Sequence, residues 1–348
     1  MRNIRMTIWC LLFFSPVCAF ILYPAVYILL VDPLWQWNHP FHLARWHRPF
    51  NERTQKTNFL ASHKVYIDSL IVGSSRSSYI NPSWLGSDKG FNYAVSSGKP
   101  SEFASHIGYV RKHSGKELNF ILIESSFGHA LKTKNTFEPP RSYIGNAEDG
   151  MKKFKSLFSR SAYKLAQNTS LAPSYNHYFV GHREIASYRY PHLKYDSGKK
   201  QSSISSQVKT YRELVYNMPY DNAFSYYIGD VRRAAQETDF VVYTTPVTRH
   251  LMKLLCDLGR LDDYERWLRE LVGEFGSVLH FMYPNHVSMD DASFNDAHHP
   301  TEATAKNIVN VIVNYKRMGK IEGGFGVILT NRNIDGYVQI FRKQLQSL

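Results

Sequence analysis

The chain has 348 residues, of which 43% are hydrophobic and 20% charged, and its formal net charge is +13 at pH 7. This is the composition of a globular protein, and the length suits one large domain or two modest ones with a sizeable core. No nucleic-acid motif accompanies the positive charge, so we expect no nucleic-acid partner. An anionic membrane surface, an acidic glycan or a plain solubilising surface can each explain the charge.

The three cysteines exclude two kinds of site. Cys10 and Cys18 lie in the amino-terminal apolar stretch, which leaves Cys256 alone in the remainder. No disulfide can form within that remainder, and zinc sites of the paired-cysteine type are excluded.

The first 32 residues favour a membrane anchor. Residues 6–31 contain no charge, follow Arg2 and Arg5, and exceed the ~20 apolar residues that a transmembrane helix needs. They also exceed the ~7–15 apolar residues of a cleavable signal peptide. The sequence therefore predicts that residues 1–32 form a cytoplasmic stub and a single-pass anchor in the cytoplasmic membrane. The rest of the chain is expected to face the periplasmic or extracellular side.

Residues 33–63 are predicted to be a linker. They are rich in Trp, His, Pro and Arg and show no clean hydrophobic period. Trp35 and Trp37 are residues typical of the membrane interface, so we expect them near headgroup level. An ordered arm packed on the domain is the alternative.

Beyond the linker, strands alternate with helices. Strands are predicted at residues 65–72, 91–95, 118–124, 240–245, 277–283 and 326–330, and helices at 101–112, 223–237, 261–275, 300–318 and 335–345. This alternation predicts an α/β fold with a doubly wound parallel sheet.

The regular pattern is interrupted between residues 132 and 222. That stretch holds only weak helical segments, around residues 150–167 and 205–216. Compact domains rarely carry so long an irregular segment without a use, so we expect an insertion that caps one edge of the sheet and recognises substrate. A mobile segment with no role in binding is the alternative. Residues 64–131 and 223–348, with a carboxy-terminal helix, then form the two parts of one domain.

A short polar turn follows the first predicted strand. Gly73-Ser74-Ser75-Arg76 comes directly after the apolar run Leu70-Ile71-Val72. A buried strand that breaks into such a turn can present a serine hydroxyl at the carboxyl edge of a parallel sheet, where open α/β sheets bind ligands. A solvated loop with local side-chain to backbone bonds is the alternative.

A candidate base lies late in the chain, in Asp296-Ala297-His298-His299-Pro300. A serine nucleophile needs a general base, and the base needs an acceptor that holds its tautomer. An aspartate and a histidine three residues apart on a loop can supply both. A helix-capping loop with exposed histidines is the alternative.

The same region offers a different reading, a metal site. Seven potential ligands fall within twenty residues, namely His280, His286, Asp290, Asp291, Asp296, His298 and His299. Such clusters can bind Zn²⁺ or Mn²⁺. Because no helical His-x-x-x-His pair is present, we expect neither metal nor cofactor, and a metal-dependent hydrolase is the minor alternative.

Taken together, these segments resemble the SGNH (GDSL-type) hydrolase superfamily. Gly73-Ser74-Ser75 is similar to its block I with serine in place of aspartate, Gly98 to its block II, and Asp296-x-x-His299 to its block V. Block III, Gly-x-Asn-Asp, is absent, and residues 124–128 (Glu-Ser-Ser-Phe-Gly) stand there instead. The resemblance extends over about residues 66–318.

The resemblance implies a three-layer, flavodoxin-like SGNH domain with a Ser-His-Asp triad. In it, Ser75 would be the nucleophile and His299 the general base. Asp296 would orient His299. His298 is a rival for the base, but it lacks the family's spacing to the aspartate.

The resemblance also implies an oxyanion hole. The backbone N–H groups of Ser75 and Gly98 would form it, with Ser126 in place of the missing asparagine. Arg76 would bind a substrate carboxylate or phosphate, and a structural salt bridge is its alternative role.

An anchor joined to this Gly-Ser-Ser-Arg variant is similar to envelope proteins of the DltD-like and alginate-acetylation type, which move acyl groups onto cell-surface polymers. This implies a serine acyl-esterase or O-acyl(acetyl)transferase that acts on a cell-envelope polysaccharide or related acylated polymer. A membrane-bound acyltransferase that supplies acyl groups is the implied partner. The missing block III residue leaves a second reading, a catalytically degenerate glycan-binding or scaffold component.

Overall fold

The computed structural model describes residues 2–39, 41, 43, 50–134, 137–170, 180–181, 187–188 and 197–348. Its strands are β1 (Ser69–Val72), β2 (Gly90–Asn92), β3 (Phe120–Ser125), β4 (Val180–Gly181), β5 (Ser187–Tyr188), β6 (Asp239–Thr244), β7 (Ser277–His280) and β8 (Val327–Thr330). Its helices are α1 (Arg2–Val31), α2 (Glu52–Ser62), α3 (Pro100–His113), α4 (Pro140–Glu148), α5 (Gly150–Ser156), α6 (Arg160–Ser170), α7 (Ser197–Tyr211), α8 (Phe224–Ala235), α9 (Arg249–Asp257), α10 (Leu261–Phe275), α11 (Glu302–Met318) and α12 (Ile334–Gln346). In the described part of the chain, no helix combines the length and the apolar character that a bilayer span requires.

One six-stranded sheet organises the molecule, in the order β2-β1-β3-β6-β7-β8. Its strands pair in parallel except β8, which runs antiparallel to β7. The α/β class predicted from the alternation of strands and helices is confirmed. The chain passes from β1 to β2 on one side and returns to β3 on the other, so the strand order reverses beside β1. Open α/β sheets bind ligands at such a point, at the carboxyl ends of the strands.

Each face of the sheet carries its own hydrophobic core. Leu70 and Val72 of β1 pack in a large cluster with residues of α3, α8, α9, α10 and α12. Ile71 points to the opposite face and packs in a second cluster with residues of α11. Because a parallel sheet is buried on both faces, its strands are continuous apolar runs, as the sequence shows. The sheet is therefore the middle layer of three.

The predicted linker contains an ordered element. Trp35 is buried, and its ring meets that of Phe59 in an edge contact with 6.2 Å between centroids. Trp35 is therefore covered by protein, and its segment packs on the domain as the ordered arm that was the alternative to a linker. The helix α2 was missed because most of its buried side chains are polar, including Arg53, Lys56 and Asn58. No hydrophobic period marks such a helix in the sequence.

The arm holds the loop that follows β2. Lys56 Nζ donates to the carbonyl oxygen of Ala94 at 2.5 Å. Arg53 donates to the carbonyl oxygens of Ser96 and Ser97 at 3.0 and 3.4 Å. Arg53 is itself fixed by a buried ion pair with Glu102 of α3, at 2.5 Å. Through these contacts α2 fixes the backbone that leads into Gly98.

The remaining differences from the predicted elements are local. The helix α10 has the predicted bounds, whereas α9 was not predicted because Pro246 directly follows the preceding strand and favours a loop. Pro300 lies outside α11, which begins at Glu302 with Thr301 as its N-cap. Pro300 instead forms an isolated bridge with Phe294.

Candidate active site

A buried glutamate organises the turn after β1. Glu124, near the end of β3, accepts the Ser74 N–H through Oε2 and the Ser74 hydroxyl through Oε1, each at 2.6 Å. Its Oε2 also accepts the Ser77 hydroxyl at 2.5 Å. A Cβ on Gly73 would lie 2.5 Å from Glu124 Oε2, so glycine is required for this approach. The carboxylate thus fixes the turn on both sides of Ser75.

Ser75, His299 and Asp296 form one hydrogen-bonded chain. The Ser75 hydroxyl lies 2.8 Å from Nε2 of His299, and Nδ1 of His299 lies 2.7 Å from Oδ2 of Asp296. With the ring proton on Nδ1, Nε2 accepts the serine hydroxyl and Asp296 holds that tautomer. Residues 224 positions apart in sequence meet because β1 and the loop after β7 both end at the carboxyl edge of the sheet. This is the arrangement of a nucleophile, a base and an orienting carboxylate.

Asp296 is held as a carboxylate. Burial alone would raise the pKa of its carboxyl group. The hydrogen bond from His299 and the neighbouring His299 and His298 rings act against burial and hold the pKa well below its usual range. In addition, Oδ1 accepts the backbone N–H groups of His298 and His299 at 3.0 and 2.9 Å. A carboxylate in this state can stabilise an imidazolium that forms at His299.

His298 occupies a different position from His299. Its ring contacts that of His299 at a tilt of 43°, with 3.9 Å between centroids, and lies 5.0 Å from the ring of Tyr211. Its Nδ1 is 3.7 Å from Oδ1 of Asp296. The contact with Ser75 is made by His299, so the geometry favours His299 over its rival as the base.

The predicted oxyanion donors differ in what they bind. In the described residues the Ser75 N–H has no acceptor, and the buried Ser126 hydroxyl makes no hydrogen bond. The Gly98 N–H, in contrast, donates to the Val95 carbonyl at 2.9 Å. Its predicted role as a donor is therefore corrected, because a turn hydrogen bond occupies it. Gly98 is required for space instead, since a Cβ there would lie 2.5 Å from the carbonyl oxygen of Gly73.

A cavity of about 460 Å³ opens beside Ser75. Its lining includes the polar residues Arg76, Ser126 and His298. The predicted insertion contributes both polar and apolar residues, the apolar ones being Phe137, Leu214, Val215 and Met218. Leu214 and Val215 lie on a π-helical turn that continues α7, a feature frequent at functional sites. The described part of the insertion therefore forms one wall of the site.

Arg76 is buried and lines this cavity. Its guanidinium donates to the Tyr211 hydroxyl at 2.6 Å, and no acceptor for its Nε is present in the described residues. Burial alone would lower the pKa of Arg76, but Tyr211, Glu124 and other nearby groups raise it overall. In the described part of the chain, no carboxylate lies within ion-pair distance of the Arg76 guanidinium. These residues therefore do not form the structural salt bridge that was the alternative role of Arg76. A buried cation with an unused donor can bind an anionic or electron-rich group.

The seven potential metal ligands do not come together as one set. Within the described ranges, only Asp296, His298 and His299 place ligand atoms within 4.8 Å of one another. His280 is buried, with Thr244 and Tyr264 on its two ring nitrogens at 2.8 and 2.7 Å. Both nitrogens of His299 already have hydrogen-bond partners. A metal at this cluster would have to displace Ser75 or rotate His299.

Two site residues were not predicted, Glu124 and Tyr211. The sequence carries a signal for Glu124, since it is an acidic residue near the end of an apolar strand. A carboxylate buried there needs hydrogen-bond donors, and the neighbouring strand β1 leads into the turn that supplies them. Tyr211 carried no such signal, since the path of the insertion is set by long-range packing.

The chain matches no protein-family model and no curated protein.

Proposed function

We propose that this protein is an SGNH-like serine acyl-esterase or O-acyl(acetyl)transferase with Ser75 as its nucleophile. The observation that carries the proposal is the continuous hydrogen-bonded chain from Ser75 through His299 to Asp296. The order of the five parallel strands supports the flavodoxin-like SGNH fold, since it corresponds to 2-1-3-4-5 when the short β4–β5 pair is set aside.

The reaction follows from this geometry. Ser75 Oγ attacks the ester carbonyl while His299 Nε2 takes its proton, and Asp296 stabilises the imidazolium. The C–O bond of the ester then breaks, and His299 returns the proton to the leaving alcohol. Water or a polymer hydroxyl attacks the acyl-serine in the second half, with His299 again as base. The Ser75 N–H and the Ser126 hydroxyl are the donors for the oxyanion.

The substrate and the setting are proposals from the same site and from the sequence. Arg76 binds a carboxylate or phosphate near the reacting ester, and the insertion wall contacts the rest of the polymer. The uncharged residues 6–31 support an anchor in the cytoplasmic membrane with the domain on the extracytoplasmic side. A cell-envelope polysaccharide or related acylated polymer is then the substrate, and a membrane-bound acyltransferase is the partner that delivers acyl groups.

Labelling of the full chain with a fluorophosphonate tests the proposal. We expect mass spectrometry to find the adduct on Ser75, and none at that position in Ser75→Ala. In His299→Gln the labelling rate should fall by ~10²–10⁴-fold, the usual contribution of a general base. The exposed Ser83→Ala variant is the matched control and should label normally. Absence of an adduct on Ser75 in the folded wild-type protein would contradict the proposal.

One observation favours a second candidate function, a non-catalytic glycan-binding or scaffold component. The Gly98 N–H is used within its turn, so two of the three predicted oxyanion donors, rather than all three, are without an acceptor in the described residues. Loss of one such donor typically costs ~10²–10³-fold in rate. If Ser75→Ala leaves the cellular function unchanged and Ser75 does not label, the scaffold role is supported. A metal-dependent hydrolase predicts instead that a chelator abolishes activity.

A further inference from the structure

An exposed apolar surface lies on α5 and the turn that follows it. Met151, Phe154 and Phe158 are 61%, 55% and 51% exposed, and the two phenylalanine rings meet edge to face at 5.5 Å. We call these three side chains the α5 patch. Clustered large apolar side chains on a surface mark a site of contact with a membrane or another protein.

The sequence that carries the α5 patch is basic, and the acid that directly precedes it, Asp149, accepts the backbone N–H groups of Met151 and Lys152. Between residues 150 and 170 the sequence contains no acidic residue and five cations. They are Lys152, Lys153, Lys155, Arg160 and Lys164. In the part of the chain that the structure describes, none of these cations forms an ion pair. The interface of an anionic bilayer has an apolar interior beneath anionic headgroups. Apolar side chains interleaved with lysines that form no ion pair are complementary to such an interface.

The α5 patch adjoins the end of α1. Leu157, between the two phenylalanines and close to both in sequence, packs with Tyr27, Ile28 and Val31 of α1. The neighbouring Ser156 hydroxyl donates to Gln36 at 2.8 Å. The preceding turns of α1 expose large apolar side chains. The helix α5 therefore lies next to the carboxyl-terminal turns of α1.

We propose that the α5 patch inserts into the headgroup region of a bilayer that contains anionic lipids, as a second membrane contact beside the anchor proposed for residues 6–31, on which this inference rests. The aromatic and methionine side chains lie among the upper acyl carbons, and the five cations bind lipid phosphates. This contact fixes the rotation of the domain about α1 and so the direction in which the cavity beside Ser75 opens. It does not depend on the reaction at Ser75.

Spin-label accessibility in nanodiscs tests this contact. The full chain, with Cys10, Cys18 and Cys256 replaced by alanine, is reconstituted into equal parts phosphatidylglycerol and phosphatidylcholine. Single cysteines then carry a nitroxide at Phe154, at Phe13 of α1, or at Ile340 of α12 as the exposed control. We expect the label at 154 to lose access to a water-soluble nickel complex and gain access to oxygen, as at Phe13, whereas the label at 340 stays accessible to nickel.

The outcomes separate the alternatives. A label at 154 as accessible to nickel as the one at 340 overturns the proposal, whatever the Phe13 label shows, and would leave the patch for a protein partner. The triple variant K152E/K153E/K155E should restore nickel access at 154, and the matched triple variant K116E/K306E/K343E on exposed residues elsewhere should not. The label at 154 could instead be equally inaccessible to nickel in the triple variant and in pure phosphatidylcholine. That result would overturn the anionic-lipid part of the proposal.

Discussion

The side chain of Glu124 accepts the backbone N–H of Ser74, the residue before the candidate nucleophile, at 2.6 Å. The same carboxylate also accepts the hydroxyls of Ser74 and Ser77, so one buried group holds three donors of a single turn. The position of Ser75 relative to His299 therefore depends on a residue of the neighbouring strand. Glu124 is a positioning residue in the proposed reaction.

Replacing Glu124 with glutamine should loosen this turn. The amide offers one acceptor oxygen instead of two and leaves at least one buried donor poorly paired, which costs about 1–3 kcal/mol. We expect a lower free energy of unfolding in urea and slower labelling of Ser75 by the fluorophosphonate. The exposed Glu117→Gln variant serves as control and should change neither quantity. Unchanged labelling in a destabilised Glu124→Gln protein would show that Glu124 supports the fold alone.

Ser74→Asp tests why this turn lacks an aspartate. The new carboxylate would meet Glu124 in a buried site, and an uncompensated buried charge costs about 3–5 kcal/mol. We expect Ser74→Asp to be strongly destabilised. Adding Glu124→Gln should restore much of the loss, because the neutral amide can donate to the aspartate. Thermal and urea unfolding of the four proteins of this double-mutant cycle measure the coupling, and additive effects would contradict a direct contact.

Asp296 predicts a pH dependence of stability. Its carboxyl pKa is lower in the folded protein than in the unfolded chain, where it is about 3.9. Its contribution to stability is therefore fully present above about pH 4 and is lost as the pH falls through the folded pKa. The difference in unfolding free energy between wild type and Asp296→Asn should shrink below pH 4. At neutral pH, Asp296→Asn should also slow the proposed acyl transfer by about 10⁴-fold, because the amide favours the wrong tautomer of His299. Exposed Asp290→Asn is the control.

Three buried histidines predict acid lability. Burial is the main cause that lowers the pKa of His106 to about 3, of His129 to about 4 and of His280 to about 3. These histidines take up protons near pH 6.5 in the unfolded chain but stay neutral at that pH in the folded protein. The free energy of unfolding should therefore fall as the pH drops from about 6.5 to 4. Each group contributes up to about 1.4 kcal/mol per pH unit.

His106→Gln tests this dependence. Its unfolding free energy should fall less steeply between pH 6 and pH 4, by about the slope of one group. The exposed His286→Gln variant should keep the wild-type slope. Equal slopes in all three proteins would show that His106 takes up its proton in the folded state as well.

The central sheet and its helices could be predicted because their signals are local. Helix α10 is an apolar stripe at helical spacing, and the parallel strands are uninterrupted apolar runs. Ser75, Asp296 and His299 could be proposed as one site because their motifs, in this order along the chain, resemble those of the SGNH superfamily. The alternation of strands and helices predicted a parallel sheet, and the structure supplied the strand order that brings these residues to one edge.

The rest depends on long-range packing that no local pattern encodes. Helix α2 buries Arg53 and Lys56, which find Glu102 and a backbone carbonyl only after folding. The hydrogen bond that occupies Gly98 arises from the turn beside it, where Ser97 adopts a φ of 51°, which its residue type does not predict. Tyr211 reaches Arg76 across 135 positions in sequence.

The hydrogen bonds from α2 to the loop after β2 determine where this protein can be truncated. A fragment that starts at Lys64 would keep Ser75, His299 and Asp296 but lose both cations that hold the carbonyls of residues 94, 96 and 97. It would also leave Glu102 without its buried partner. The arm and the sheet domain are thus one folding unit, and a shortened version of the protein must begin before the arm rather than after it.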